Sequence, residues 1–496
     1  MKTLNLTLDN STKKLYLQIA FAIRHAIENK NVVPTEKLPS ARTLAEQLSV
    51  NRHTVMAAYN ELVAQGWVEA RFRKGYSVAA ILPLFSSQQN TQNQNQNQNQ
   101  DQENLTIKHI WRLAKSNNDK TLPTASQYEF NFAGGNPDIS LFPFNEFRGF
   151  MNQALSRPDI KELNYGHNNG FTPFIKEVST YLRRVRSITN KEIIVVNGTQ
   201  EALYILSQVL IKTGDKIAVE SLGYQPAWNA FKNAGAQLIA VKQTEQGIDI
   251  THLEQLIKTH QIRLLYLTPL HQYPTTTTLA MSIRKRIYQL AQQYNFPIIE
   301  DDFDHEFHYN SQPLAPMATN DPAGLVIYLS SFSKIMFPGI RLGIIAVDKS
   351  LAKAIVNYRA LLNHKVNVLL QDAVARWMKD GGFERHLRKA TRHYQKRRQC
   401  MVNLLTQFID EGLNIEFSIP AGGMALWVNV GGNAQKIAEL AKQQGIYLLA
   451  EHAFHLDQNN NQDKYIRLGF AGQNEQQLKQ GLLRLKSILI EYVCKR

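Results

Sequence analysis

Between Leu15 and Asn29 the apolar residues Leu15, Ile19, Ala22, Ile23, Ala26 and Ile27 recur at helical spacing and predict a helix with one buried stripe. Pro39 and Ser40 open a second helical pattern through Leu44, Ala45 and Leu48, with Ser40 as its N-cap. After a short turn at Ser49 and Val50, Asn51 takes the same position before RHTVMAAYNELVAQ, a third helix that Gly66 ends. The stretch WVEARFRKGYSVA then reads as two strands around a basic turn at Arg73, Lys74 and Gly75. From Gln88 to Gln102 the pattern dissolves into Gln and Asn. Such a tract cannot bury enough apolar surface to offset its ordering cost, and a disordered tether is expected there. Beyond about Tyr128, helical patterns alternate with continuous apolar runs: EIIVV (Glu192–Val196), KIAVE (Lys216–Glu220), LIAV, RLLYLT (Arg263–Thr268), FPIIE (Phe296–Glu300), VIYLS (Val326–Ser330) and GIIAV. Strands apolar on both faces belong to a mostly parallel sheet covered on both sides, which predicts the α/β class.

At 496 residues the chain exceeds what one core normally organises, so two or three domains are expected. An excess of 56 Lys+Arg over 41 Asp+Glu gives a formal charge of +15, a balance that favours a polyanionic partner, nucleic acid before membrane. Only Cys400 and Cys494 are present, with neither metal-ligand spacing nor a disulfide framework, which suits a reducing compartment. MKTLNLTLDNSTKK lacks the apolar core of a signal peptide, and no apolar run is long enough to span a bilayer. A cytoplasmic protein without metal or membrane attachment is expected.

Helix, short turn, helix and β-wing together make a winged helix-turn-helix, and the piece to Ala80 carries eleven Lys+Arg against six Asp+Glu. A recognition helix must offer polar and cationic groups at the turn that enters the major groove. Arg52, His53 and Thr54 do so, while Val55, Ala58, Leu62 and Val63 face back to the core. Arg52 suits either a base edge or a phosphate. Arg42, at the start of the preceding helix, and Arg71, Arg73 and Lys74 of the wing suit phosphates. LPSARTLAEQLSVNRHTVMAAYNELVAQGWV resembles the GntR family pattern almost position for position.

In a parallel sheet, ligands sit beyond the carboxyl ends of the strands. EIIVV is followed by Gly198, Thr199 and Gln200, which open a helix whose free amides can hold a phosphate. KIAVE leads to Tyr224, an aromatic face; RLLYLT leads to the PLHQYPTTTT loop; FPIIE leads to the carboxylates of DDFDHEF; VIYLS leads to SFSK and then Arg341. Each has a dull reading singly, Lys334 as a solvated lysine and Asp301 as a cap or ion-pair partner. Converging on one edge, a phosphate cradle, an aromatic face, an acid and a lysine are what pyridoxal phosphate needs.

This order resembles the fold-type I aminotransferases, and with the GntR-like head the chain resembles the MocR/GabR family of transcriptional regulators. The likeness runs through FAGGNPDISLFP, LNYGHNNGFTPFIKEVSTYLRRVRSI, TPLHQYPT, EDDFDHEF, SSFSKIMFPGIRLG and YIRLGFA. It implies that Lys334 carries the cofactor as a Schiff base, that Asp301 pairs with the ring nitrogen and that Tyr224 stacks on the ring. Gly198, Thr199, Gln200, Ser331, Ser333 and Arg341 would hold the phosphate, and Arg467 would clasp the carboxylate of an amino-acid ligand. Asp301 is preferred over Asp302 and Asp304 by its place in the motif. Two positions depart from the family: Phe303 replaces a tyrosine that bonds the cofactor's phenolic oxygen, a bond Tyr273 is placed to supply instead, and Thr276 replaces a glycine. Both favour binding over turnover.

The resemblance divides the chain into a DNA-binding head at 1–80, a Gln/Asn-rich linker at 81–127 and a cofactor-binding, dimerising unit at 128–496. It implies a head-to-tail homodimer on paired DNA half-sites, with pyridoxal phosphate or its adduct with an amino acid or amine as the sensed ligand. A working aminotransferase with an accessory head is the alternative; a large domain kept only for dimerisation conflicts with intact Lys334, Asp301 and Arg341. The strongly basic FERHLRKATRHYQKRRQC (Phe383–Cys400) reads as a solvated helix face, part of which, around Arg392, Lys396 and Arg397, is a candidate cationic surface for DNA.

Overall fold

The computed structural model describes residues 14–71, 75–83, 128–164, 168–309, 312–457 and 463–494. The chain forms two compact units, one within Met1–Arg112 and one within Leu113–Arg496. The Gln/Asn tract and the wing residues Arg73 and Lys74 lie outside the described residues.

In the first unit α1 (Leu15–Glu28), α2 (Ala41–Leu48) and α3 (Arg52–Ala64) precede the antiparallel strands β1 (Val68–Arg71) and β2 (Gly75–Val78). Both expected caps form: Ser40 Oγ accepts from the amide of Thr43, and Asn51 Oδ1 accepts from that of His53. Ile19, Ile23, Leu44, Val55, Ala58, Tyr59 and Leu62 form the core, and the Tyr59 hydroxyl donates to the carbonyl of Pro39 at 2.8 Å. Two positions differ from the periodicity. Leu15 is exposed at the first turn of α1, and Ala20, off the expected stripe, is buried. Val63, half-buried, packs against this core as expected.

The second unit is built on a sheet of seven strands: β3 (Glu192–Val196), β4 (Lys216–Glu220), β5 (Gln237–Val241), β6 (Ile262–Leu267), β7 (Ile298–Asp301), β8 (Val326–Ser331) and β9 (Gly343–Val347). Their order across the sheet is β3-β9-β8-β7-β6-β4-β5, and all pairs are parallel except the two made by β9. Alternate residues of one strand enter different cores. Ile193, Val195, Leu265, Val326 and Ile344 join one, and Ile194, Val196, Leu264, Ile327 and Ile345 join the other. Burial on both faces is why these strands are continuously apolar. A smaller sheet of β10 (Glu416–Phe417), β11 (Ala425–Asn429), β12 (Leu449–Ala450) and β13 (Tyr465–Gly469), ordered β10-β11-β13-β12, packs on its own core of Leu426, Ile466 and Leu482. Among the described residues no helix is long and apolar enough to cross a membrane.

Candidate functional site

The antiparallel direction of β9 shapes one end of the sheet. Its first residue, Gly343, pairs with Ser331 at the carboxyl end of β8 and with Val196 at the carboxyl end of β3. Arg341, two residues before β9, thus reaches the edge at which the parallel strands finish. Its guanidinium donates to the carbonyl of Asn197 at 2.7 Å, beside Gly198, the N-cap of α4 (Thr199–Leu210). Gly198 has φ +83°, and a Cβ there would stand 2.8 Å from Arg341 Nη2. Only glycine brings the amide end of α4 and the guanidinium together, a cationic cradle at a helix N-terminus. Ser331 is buried at the end of β8 and accepts from the amide of Ser333. Thr199 is half-buried, but Gln200 is exposed and its side-chain amide donates to the carbonyl of Pro226.

Beside this cradle three carboxylates follow one another with different partners. Asp302 accepts from Arg186 at 2.5 Å and from the Tyr328 hydroxyl at 2.7 Å, and the guanidinium outweighs burial to hold its pKa below the carboxylate range. Asp304 pairs with His271 at 2.7 Å. Asp301 accepts from the Tyr266 hydroxyl, on Oδ2 at 2.9 Å, and its other oxygen is buried with no partner among the described residues. Burial pushes its pKa up to about 7, against the opposing hydrogen bond. The half-buried Lys334, just beyond β8, feels Asp301 and Asp304 as counter-charges. Burial, with Arg467 adding to it, nevertheless brings its pKa down to about 8. A substantial fraction of this amine is therefore neutral, and nucleophilic, near pH 8.

Aromatic rings close the site. Tyr224 and Tyr273 meet edge to face at 5.6 Å, and Tyr273 makes similar contacts with Phe303 at 6.3 Å and Phe454 at 5.4 Å. Burial, then Asp301 and Tyr273, raises the Tyr224 phenol to about 12, so it stays neutral. Arg467, on β13, is buried with its guanidinium over the Tyr273 ring at 4.9 Å, and its Nε and Nη1 have no partner among the described residues. The loop carrying Tyr273 is held from behind. Glu220 accepts from Thr268 and Gln272, and Arg284 donates to the carbonyls of Pro269 and Leu279. Thr276 keeps the left-handed conformation expected of glycine, at φ +64°, while its amide bonds the carbonyl of Gln272 at 2.7 Å. The loss of glycine leaves the turn in place and puts a β-branched residue under strain.

In the first unit Arg52 and His53 stand exposed at the first turn of α3, with Thr54 half-buried beside them. Arg42 is exposed and pairs with Glu46 at 3.2 Å, and Arg71 with Glu69 at 3.3 Å. These surface pairs hold little energy and leave both cations open to a stronger anion.

Arg186, Tyr266, Glu220 and His271 escape a reading of motifs. Tyr266 alone carried a signal, as the one hydroxyl-bearing ring inside the apolar run RLLYLT. Arg186 sits more than a hundred residues before Asp302, and only the fold joins them.

A nucleophilic lysine, an anion cradle and an unmatched acid at the carboxyl edge of a mostly parallel sheet define a fold-type I aminotransferase unit, here on a chain with a winged helix-turn-helix. The family model for "Aminotransferase class I and II" matches residues 140–485, and the chain belongs to that family. The model for "Bacterial regulatory proteins, gntR family" matches residues 15–78. Over its whole length the chain is similar to the probable rhizopine catabolism regulatory protein MocR of Rhizobium meliloti, 28% identical over 96% of this chain and 94% of that protein. It is also similar to the HTH-type transcriptional regulator TauR of Rhodobacter capsulatus, 25% identical over 92% of each. The kynurenine aminotransferase of Pyrococcus horikoshii, solved with PMP, superimposes with a TM-score of 0.69 at 28% identity, over 74% of this chain and 92% of that one.

Proposed function

We propose that the protein is a transcriptional regulator whose gntR-type head binds operator DNA and whose aminotransferase-like unit senses pyridoxal phosphate, alone or joined to an amino acid or amine. Full-length relatives that bear regulator names support the first half. The observation that carries the second half is a set of buried polar atoms left unmatched among the described residues, Asp301 Oδ1 and Arg467 Nε and Nη1, around the depressed-pKa Lys334. Leaving such atoms without partners costs about 1–3 kcal/mol each, a cost that a polar ligand removes.

The residues fit that cofactor. Arg341, Gly198, Thr199 and the serines 331 and 333 would hold its phosphate, Asp301 would face its ring nitrogen, and Tyr224 would cover its ring. When bound, pyridoxal phosphate supplies an aldehyde that captures amines and withdraws electrons from them. Lys334 serves that capture by presenting a neutral amine. A cationic ring nitrogen would return Asp301 from its raised pKa to the carboxylate form. Arg467 would bind an effector carboxylate in the bidentate manner of a guanidinium. With Phe303 lacking a hydroxyl, the site favours holding a ligand over turning it over. A ligand moves the regulator only by binding one of its states more tightly than another.

Dimerisation is supported by exposed apolar side chains on adjoining segments: Ile160, Leu163, Tyr204, Leu361 and Leu362. Lys365 bonds Glu162 and Asn363 bonds Glu201, which ties these segments together. Residues 81–127 would link the cytoplasmic regulator's two units, and a dimer would read paired half-sites.

The test is spectroscopic. The purified protein should show an absorbance band of bound pyridoxal phosphate that Lys334→Ala abolishes, and candidate amines should shift band and operator affinity together. A wild-type protein that takes up no cofactor overturns the proposal.

A further inference from the structure

The basic stretch lies on α5 (Gly382–Asp410), which separates its cations by face. Arg397 and Arg398 turn inward. Arg397 donates to Asp138 at 2.6 Å and to the carbonyl of Ala471, and Arg398 donates to the carbonyl of Pro420 and lies over Tyr309 at 4.5 Å. Arg397 is thus a structural residue, which corrects its expected place on a cationic surface. The outward face holds Arg385, Arg388, Lys389, Arg392, His393 and Lys396 around a shallow basin of about 320 Å³. Arg385, at one end, is tied to Glu146 and Asp380. Arg388, Lys389, Arg392 and Lys396 are exposed, and among the described residues no carboxylate forms an ion pair with them. Burial holds the His393 imidazole below its ordinary pKa, with Arg397, Lys389 and Lys396 adding to it against Asp138.

An ordinary solvated helix face mixes both signs at i, i+4 spacing. This one repeats a single sign at i, i+3, i+4, i+7 and i+11 from Arg385 to Lys396, a stripe of about 17 Å at 1.5 Å per residue. Duplex DNA presents roughly ten phosphates over that length. We propose that this face of α5 is a second duplex-DNA contact surface, carried by the aminotransferase unit and indifferent to base sequence. The choice of duplex DNA over another polyanion rests on the proposed DNA-binding role of the head. The surface would add affinity on DNA flanking an operator without adding specificity.

The test uses the full-length protein and a random-sequence duplex of about 60 base pairs, with affinity followed by anisotropy across a range of salt. The variant combining Arg388→Ala, Arg392→Ala and Lys396→Ala should lower the slope of log K against log salt by about 2–3, at roughly 0.9 for each phosphate no longer neutralised. The charge-conserving combination Arg388→Lys, Arg392→Lys and Lys396→Arg should keep the wild-type slope. An alanine variant with the wild-type slope and affinity overturns the proposal. So does one that loses binding of tripolyphosphate while its DNA slope is unchanged, since the basin is then a small-anion site. Arg52→Ala, measured alongside, reports on the head alone. If Arg52→Ala changes nothing while the alanine combination lowers the slope, the head reading fails and the surface on α5 stands.

Discussion

At the start of α3, Arg52 and His53 stand in solvent on a small core, whereas Asp301 on the large sheet and Arg467 on the smaller one are buried with polar atoms unmatched among the described residues. The difference matches what the two proposed ligands would require. A duplex brings its own dense charge and counterions, so many exposed, weakly held cations suffice and binding follows salt. A small cofactor offers few groups, and each must meet a pre-oriented, desolvated partner to bind tightly. Charges at the head cost the fold little. Those at the sheet edge are stored at a cost to stability, which appears as the raised pKa of Asp301 and the lowered pKa of Lys334.

The sharpest break of this contrast is Arg186→Ala. It strands Asp302 in the core behind the site and should destabilise the large unit by about 3–5 kcal/mol in denaturant unfolding, while leaving the folding of the head unchanged. Asp301→Asn is next. Asp301 has a folded pKa of about 7 against an unfolded value of 3.8, so its charge penalises the folded state above pH 7 and the penalty vanishes below about pH 4. Freed of cofactor, the Asn variant should therefore be more stable than wild type at pH 8 by an amount on the order of a few kcal/mol, and equal to it in acid. Scans of unfolding midpoint against pH check this, and a gap that persists at low pH would assign the effect to packing. At the head, Arg52→Ala should weaken operator binding about tenfold if Arg52 reads a base, or reduce the salt slope by about 1 uniformly across sequences if it meets a phosphate. The smallest effect belongs to Thr276→Gly. Relief of a left-handed β-branched residue should stabilise the large unit by about 1 kcal/mol, measured by thermal unfolding, with cofactor affinity little changed.

Much of the molecule could be read from its residues because local rules and the fold agree. The two N-caps, the β-wing and all seven apolar runs became the elements expected of them, since capping and burial on both faces leave direct marks on the sequence. Leu15 is exposed although it lies on the expected stripe, because periodicity locates a face but not how far along it burial extends. Gln200 follows the same logic, as its position at the opening of α4 is right while its amide is turned to Pro226.

Residue order alone put the glycine turn, Asp301, Lys334 and Arg341 beyond the ends of three apolar runs, because a parallel sheet delivers the ends of its strands to one edge. It chose Asp301 over Asp302 and Asp304 by motif position and on no physical ground, and it grouped Arg397 with Arg392. Three neighbouring carboxylates are alike as letters. They differ once Arg186, Tyr328 and His271 arrive from distant parts of the chain, leaving one oxygen of Asp301 without a partner among the described residues. Likewise the basic run of α5 is sorted by helix rotation against Asp138, Ala471 and Pro420 into inward anchors and an outward stripe. Which groups are present was decided by sequence. Which of them remain available was decided by tertiary structure, because availability depends on every partner that folding brings within hydrogen-bonding reach.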